Sequence, residues 1–203
     1  MKKVKAVVFD AYGTIVKIGK KTKPLNPYKM ISGNIKNHGY NPVTMELSLK
    51  DYDEIMQGSS AYIDNYIEAE IALQKEIKSI KPFPEAMDVM KILKKHGIKI
   101  AVCSNLAQPY AQPIIDIFGD VVDEYVWSFN TFAKPDIRIY QIVEERLGLL
   151  GNDIHMIGDS YINDYMTPKE FMGWSATFLD RTGGDAGHPS VSRLNSIFLD
   201  IQL

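Results

Sequence analysis

Five short apolar runs alternate with helical stripes along this chain. Val4–Phe9, Ile98–Cys103, Tyr125–Trp127, Ile154–Ile157 and Trp174–Phe178 read as strands. Between them, Ala86, Val89, Met90 and Leu93 recur at i, i+3, i+4 and i+7 and are closed by His96-Gly97; Ile139, Ile142, Val143 and Leu147 do the same before Gly148. These are core-facing helices. Strands alternating with such helices predict an α/β fold with a parallel sheet and crossover helices. Thr167-Pro168-Lys169-Glu170 places Thr at an N-cap, Pro at the first helical position and Glu at the third. It predicts a helix starting there, with Gly158 to Tyr165 as loop.

Between Thr14 and Pro82 the character changes. No strand alternation is convincing, and Tyr66, Ala69, Leu73, Ile77 and Ile80 trace one helical face. Lys17 to Lys23 with Pro24 lead out of the sheet, and Lys81-Pro82-Phe83-Pro84 return to it. The expected organisation is a core of residues 1–16 and 82–203 with a helical cap of residues 17–81, hinged at about 16–24 and 80–84. The lysines of the first hinge read as a solvated basic loop.

Composition narrows the picture without naming a partner. The chain has 203 residues, 45% of them hydrophobic, room for one sizeable core and an accessory element. Its 23 Lys+Arg nearly balance 25 Asp+Glu, so bulk charge argues for neither nucleic acid nor an acidic membrane surface. Cys103, the single cysteine, excludes an internal disulfide and a multi-cysteine zinc site, and its strand context predicts a buried, inert thiol. No apolar stretch reaches the ~20 residues that span a bilayer, and Met1-Lys-Lys-Val runs straight into a strand pattern. A cytoplasmic protein is expected, as monomer or homodimer, acting on a small molecule.

Candidate chemistry sits where apolar runs stop. Asp10 follows Phe9, Ser104-Asn105 follow Cys103, and Asp159 follows Met156-Ile157-Gly158. In a parallel sheet these positions converge on the carboxyl edge, where open α/β sheets bind ligands. Lys134-Pro135 is expected to open another helix, leaving the ammonium in the preceding loop. A carboxylate nucleophile, a hydroxyl, a lysine and further carboxylates are therefore candidates for one cleft.

The order Asp10-x-Tyr12-Gly13-Thr14, Ser104-Asn105, Lys134-Pro135 and Gly158-Asp159-Ser160-x-x-Asn163-Asp164 resembles the haloacid dehalogenase-like hydrolase superfamily, with its four motifs in sequence and a cap inserted after the first. The resemblance implies a Rossmann-like core and a covalent intermediate on Asp10. It also implies roles for the others: Tyr12, Ser104, Asn105 and Lys134 at the substrate, Thr14 among the catalytic residues, Asp164 orienting Lys134 or a metal-bound water. In its phosphatase branch Mg²⁺ is held by the counterparts of Asp10, Asp159 and the backbone carbonyl of Tyr12.

Position 12 divides the branches. Phosphatases carry their acid/base Asp there, whereas Asp-Ala-Tyr-Gly-Thr resembles the metal-independent 2-haloacid dehalogenases. Against that branch, Asp159 restores an acidic metal site, and the halide-cradling cap arginine has no counterpart, since no Arg precedes Arg138. The resemblance therefore implies Mg²⁺-dependent phosphoryl hydrolysis with atypical proton transfer, with dehalogenation or a catalytically silent ligand-binding relative as alternatives. The Tyr12 hydroxyl, at its ordinary pKa of about 10, would be a poor base.

Overall fold

The computed structural model describes residues 2–22, 71–183 and 187–202. Its strands are β1 (Lys2–Lys3), β2 (Ala6–Phe9), β3 (Val16–Ile18), β4 (Ile80–Pro82), β5 (Lys99–Ser104), β6 (Glu124–Trp127), β7 (Ile154–Gly158), β8 (Ser175–Phe178) and β9 (Ile201–Gln202). Five of them form one sheet in the order β6-β5-β2-β7-β8, every pair parallel. All five sequence-expected strands are in it. The chain steps outward from β2 through β5 to β6, then crosses back to place β7 on the other side of β2. That reversal opens a crevice at the carboxyl ends of β2, β5 and β7.

Alternation along the strands divides the core. Val7, Phe9, Ile100 and Val102 face one cluster with Ala86, Val89, Met90 and Leu93 of the helix Ala86–Lys95 and Ile114 and Phe118 of the helix Gln112–Phe118. Ala6, Val8, Ala101 and Cys103 face the other, against Ile139, Tyr140, Val143 and Leu147 of the helix Ile137–Leu147 and Trp174. Burying a Val, Leu or Met side chain contributes about 1.5–3 kcal/mol relative to leaving it in water. Each helical stripe is therefore sufficient to dock its helix. The Cys103 thiol is fully buried, which pushes its pKa up to about 12 and leaves it inert.

One helix starts later than expected, and another starts at Thr167 as expected but follows a helical turn instead of a loop. Pro135 lies outside its helix, which begins at Ile137 with Asp136 as N-cap accepting from the Arg138 N–H. The Lys134–Pro135 peptide is cis. Residues Tyr161–Met166 are not loop but a wide helical turn, capped by Ser160 through the Asn163 N–H and running into the helix Thr167–Met172. Ser160 rather than Thr167 is thus the N-terminal cap. Pro168 stands in the first turn of the helix Thr167–Met172, where a missing N–H is tolerated.

β3 and β4 pair antiparallel, with Val16 opposite Pro82 and Ile18 opposite Ile80. This ribbon lies at both expected hinges. Residues 71–77 are helical, with Leu73 buried and Ile77 packed on the core, while Tyr66 and Ala69 of the same expected face lie outside the described residues, as does most of the expected cap. Among the described residues no helix is long and apolar enough to cross a membrane.

Candidate active site

Three strand ends and one loop build a charged cluster. Asp10 leaves the end of β2, still tied to β7 through its N–H and the Ile157 carbonyl at 3.0 Å. Ser104 ends β5, and its hydroxyl donates to Asp10 Oδ1 at 3.0 Å. Lys134 reaches in from the loop before the helix Ile137–Leu147. Its ammonium donates to Asp10 Oδ1 at 2.8 Å and to Asp164 Oδ1 at 2.6 Å, with only 2% of the side chain exposed. Asp164 Oδ2 accepts from the Ser160 N–H at 3.0 Å, so both its oxygens are engaged. Among the described residues Asp10 Oδ2 meets only a long contact from the Thr14 hydroxyl, 3.4 Å. It is the less encumbered oxygen of the pair.

Asp10, Asp159 and Asp164 each offer an oxygen within 4.8 Å of the others. Three carboxylates thus cluster where one ammonium pairs with two of them. Burial alone would discharge Lys134, but Asp10 and Asp164 outweigh it and hold its pKa well above the ordinary lysine value. Asp159 is the outermost of the three, and desolvation together with the Asp10 and Asp164 charges pushes it up to about 7. The cluster has more negative charge than its own cation neutralises.

Two glycines make these approaches possible. A Cβ on Gly13, whose φ is +89°, would lie 1.9 Å from Asp159 Oδ2; one on Gly158 would lie 2.3 Å from the Asp164 carboxyl carbon. The Gly13 requirement is therefore double, steric and conformational.

Asn105 does not address Asp10 directly. Its Nδ2 donates to the Lys134 carbonyl and its Oδ1 accepts the Lys134 N–H, both at 2.8 Å. It holds the lysine's backbone. Tyr12 turns its hydroxyl to the Tyr110 carbonyl at 2.9 Å, with the two rings edge to face at 5.8 Å. Burial and the neighbouring Glu76 carboxylate raise its pKa far above the ordinary value. The Tyr12 hydroxyl thus braces the Asp10 turn against Tyr110.

Sequence reasoning missed two contributors. Buried Glu76 accepts from the Tyr110 hydroxyl at 3.0 Å and from the Thr22 N–H at 2.5 Å, joining segment 71–77 to the loop after β5. Arg181 donates to the Gly13 and Thr14 carbonyls at 3.0 and 2.7 Å. It lies just past β8 at the same sheet edge as the motifs, so the signal that marks them, a polar residue beyond a strand end, marks Arg181 as well.

The family described as haloacid dehalogenase-like hydrolase matches residues 4–171. An (S)-2-haloacid dehalogenase from Pseudomonas sp. (strain YL) is 28% identical over 108 residues, covering 51% of this chain and 45% of that protein. The match thus spans less than half the length of this curated relative. A HAD phosphatase from Thermococcus onnurineus superposes with a TM-score of 0.65 at 19% identity, over 97% of each chain. The HAD-hydrolase YfnB of Bacillus subtilis, solved bound to magnesium, superposes at 0.68 and 15% identity, over 98% of this chain and 99% of that one. At these identities the structural likeness is one of fold.

Proposed function

The chain belongs to the haloacid dehalogenase-like hydrolases, and from that premise we propose that it hydrolyses a small phosphorylated metabolite, with Asp10 as nucleophile and Mg²⁺ as cofactor. The observation that supports this reading is the excess of carboxylate in the cluster: three oxygens within 4.8 Å of one another, with a single ammonium on two of the carboxylates. Such a set repels a second anion unless a cation accompanies it, and hard oxygen donors suit Mg²⁺. Asp10 and Asp159 would hold the metal with the Tyr12 carbonyl, since both Asp164 oxygens are engaged elsewhere. Bound Mg²⁺ supplies positive charge to the phosphoryl oxygens.

The chain's own groups do the rest. An Asp10 oxygen attacks phosphorus, the bond to the leaving oxygen breaks, and water then cleaves the acyl phosphate on Asp10. Ser104 and Lys134, donors already aimed at Asp10, stabilise phosphoryl charge as it shifts. Asp164 and Asn105 keep the lysine in place from its two ends, and Thr14 flanks Asp10 Oδ2. Position 12 supplies no acid/base. Losing such a group costs ~10²–10⁴ in rate, least for leaving groups that depart without a proton. Aryl and acyl phosphates are therefore expected to turn over faster than alkyl esters.

The test is a screen of phosphate esters and 2-haloacids, each with and without Mg²⁺. Phosphate release that needs Mg²⁺ and favours p-nitrophenyl phosphate over sugar phosphates supports the reading; equal turnover of the two removes the leaving-group argument. The second reading, metal-independent dehalogenation, is favoured by the Asp-Ala-Tyr-Gly-Thr spelling and by the Pseudomonas relative. Chloride release without metal would establish it. Metal-dependent binding of a phosphate analogue with turnover in no arm would mark a silent relative.

A pH dependence arises from Asp159, raised from an unfolded value near 4 to about 7. Its stabilising contribution to the metal-free protein is full in acid and lost as pH rises to about 7, because the folded state holds the proton longer. Metal needs the ionised form, so Mg²⁺ affinity should fall up to tenfold per pH unit below about 7. Titration calorimetry on either side of neutrality reads it; a pH-independent affinity would exclude Asp159 as a ligand.

A further inference from the structure

The turn that carries Asp10 is held from behind by one side chain that belongs to none of the four motifs. Arg181 donates from Nε to the Gly13 carbonyl at 3.0 Å and from Nη2 to the Thr14 carbonyl at 2.7 Å. Its Nη1 donates to Glu85 Oε1 at 2.7 Å, and its guanidinium carbon lies 3.5 Å from the centre of the Phe83 ring. Carboxylate, ring and two carbonyls therefore fix the plane of the group. The turn itself is closed by Ala11, whose carbonyl accepts the N–H groups of Thr14, Ile15 and Val16. Gly13, at φ +89° and lacking a Cβ, is its softest link.

We infer that Arg181 is a positioning residue for the nucleophile: by gripping two successive carbonyls of the Asp10–Thr14 turn it sets the direction of the Asp10 carboxylate and of the Thr14 hydroxyl. The inference rests on Asp10 as nucleophile, the reading proposed above. Reacting atoms misplaced by about 1 Å can cost ~10²-fold in rate, so a soft turn under the nucleophile needs an external hold. Lysine cannot reproduce it. One ammonium at the end of a flexible stem lacks the planar fork that reaches both carbonyls and Glu85 while lying on Phe83. Glu85 and Phe83 come just after β4, where the chain returns from the inserted segment, so the same guanidinium ties that return to the catalytic turn.

The experiment compares wild type, Arg181→Lys, Arg181→Ala and Glu85→Gln in the full chain, using p-nitrophenyl phosphate with Mg²⁺ at a temperature where each is folded. Arg181→Lys is expected to lower kcat ~10–100-fold with little change in KM, the signature of lost alignment rather than lost binding. Glu85→Gln keeps both carbonyl bonds and should leave kcat within about twofold while lowering Tm, because only the ion pair is weakened. Millimolar guanidinium should partly restore kcat in Arg181→Ala and do nothing for Glu85→Gln. Wild-type kcat in Arg181→Lys, or equal kcat losses in Arg181→Lys and Glu85→Gln, overturns the inference. If wild type instead releases chloride from 2-chloropropionate, the phosphatase reading fails and the same four proteins are compared on that reaction, since Asp10 is the nucleophile in both. A chain inert in both assays overturns both.

Discussion

Asp10→Asn is expected to remove at least ~10⁴ of turnover, as loss of a covalent nucleophile does, while leaving the fold intact. The amide keeps the shape of the carboxylate and an oxygen able to accept from Ser104 and Lys134, which now contact Oδ1 at 3.0 and 2.8 Å. It does not attack phosphorus or carbon. Removing one of three clustered carboxylates, while Lys134 keeps Asp164, also relieves repulsion, so the metal-free variant should unfold at or above the wild-type Tm. Mg²⁺ should no longer raise that Tm, because half of the proposed Asp10–Asp159 pair no longer carries charge. Product formation under single-turnover conditions and thermal melts with and without Mg²⁺ read the two halves separately. Activity within tenfold of wild type would dismiss Asp10 as nucleophile, and an undiminished Mg²⁺ shift would dismiss it as a ligand.

The sheet is legible in the sequence because its strands are buried on both faces. Val7 and Phe9 enter one core cluster while Ala6 and Val8 enter the other, so the whole run must be apolar and stands out from its surroundings. The same burial makes the polar residues at the strand ends conspicuous, and Asp10, Ser104 and Asp159 meet at the edge as that logic requires. What the sequence hides is pairing across distance. The Tyr12 hydroxyl binds a carbonyl 98 residues away and Arg181 binds one 168 residues away; a strand-end position marks Arg181 as a candidate, but nothing local names either partner. Asn105 reads as a group for substrate, and its amide also brackets the backbone of Lys134, 29 residues on. The helix Thr167–Met172 begins where Thr-Pro-x-Glu predicts, whereas the wide turn before it, over 161–166, depends on Asp164 folding back onto Ser160 and Lys134.

That fold-back explains why one lysine matters to stability as well as chemistry. Lys134→Met should destabilise the metal-free protein by ~3–5 kcal/mol near neutral pH, the cost typical of removing one member of a buried ion pair. The Lys134 ammonium touches Asp10 and Asp164 and is almost wholly enclosed, so its loss strands two buried carboxylates facing each other. Methionine fills the stem's volume, which separates lost charge from a cavity. Asp164 then responds by keeping a proton, since burial and a like charge both favour its neutral form. Its folded pKa, already raised by burial, rises further without the ammonium, so the stability that protonation restores is present in acid and lost as pH rises through the raised value. The deficit measured by urea unfolding should therefore be shallow in mild acid and full in mild alkali. Adding Asp164→Asn to Lys134→Met should recover more than half of it, because the second change removes the stranded charge. A deficit that is flat across pH and unrecovered in the double variant would mean that Lys134 acts through packing alone, and that the charge excess around Asp159 does not govern this site.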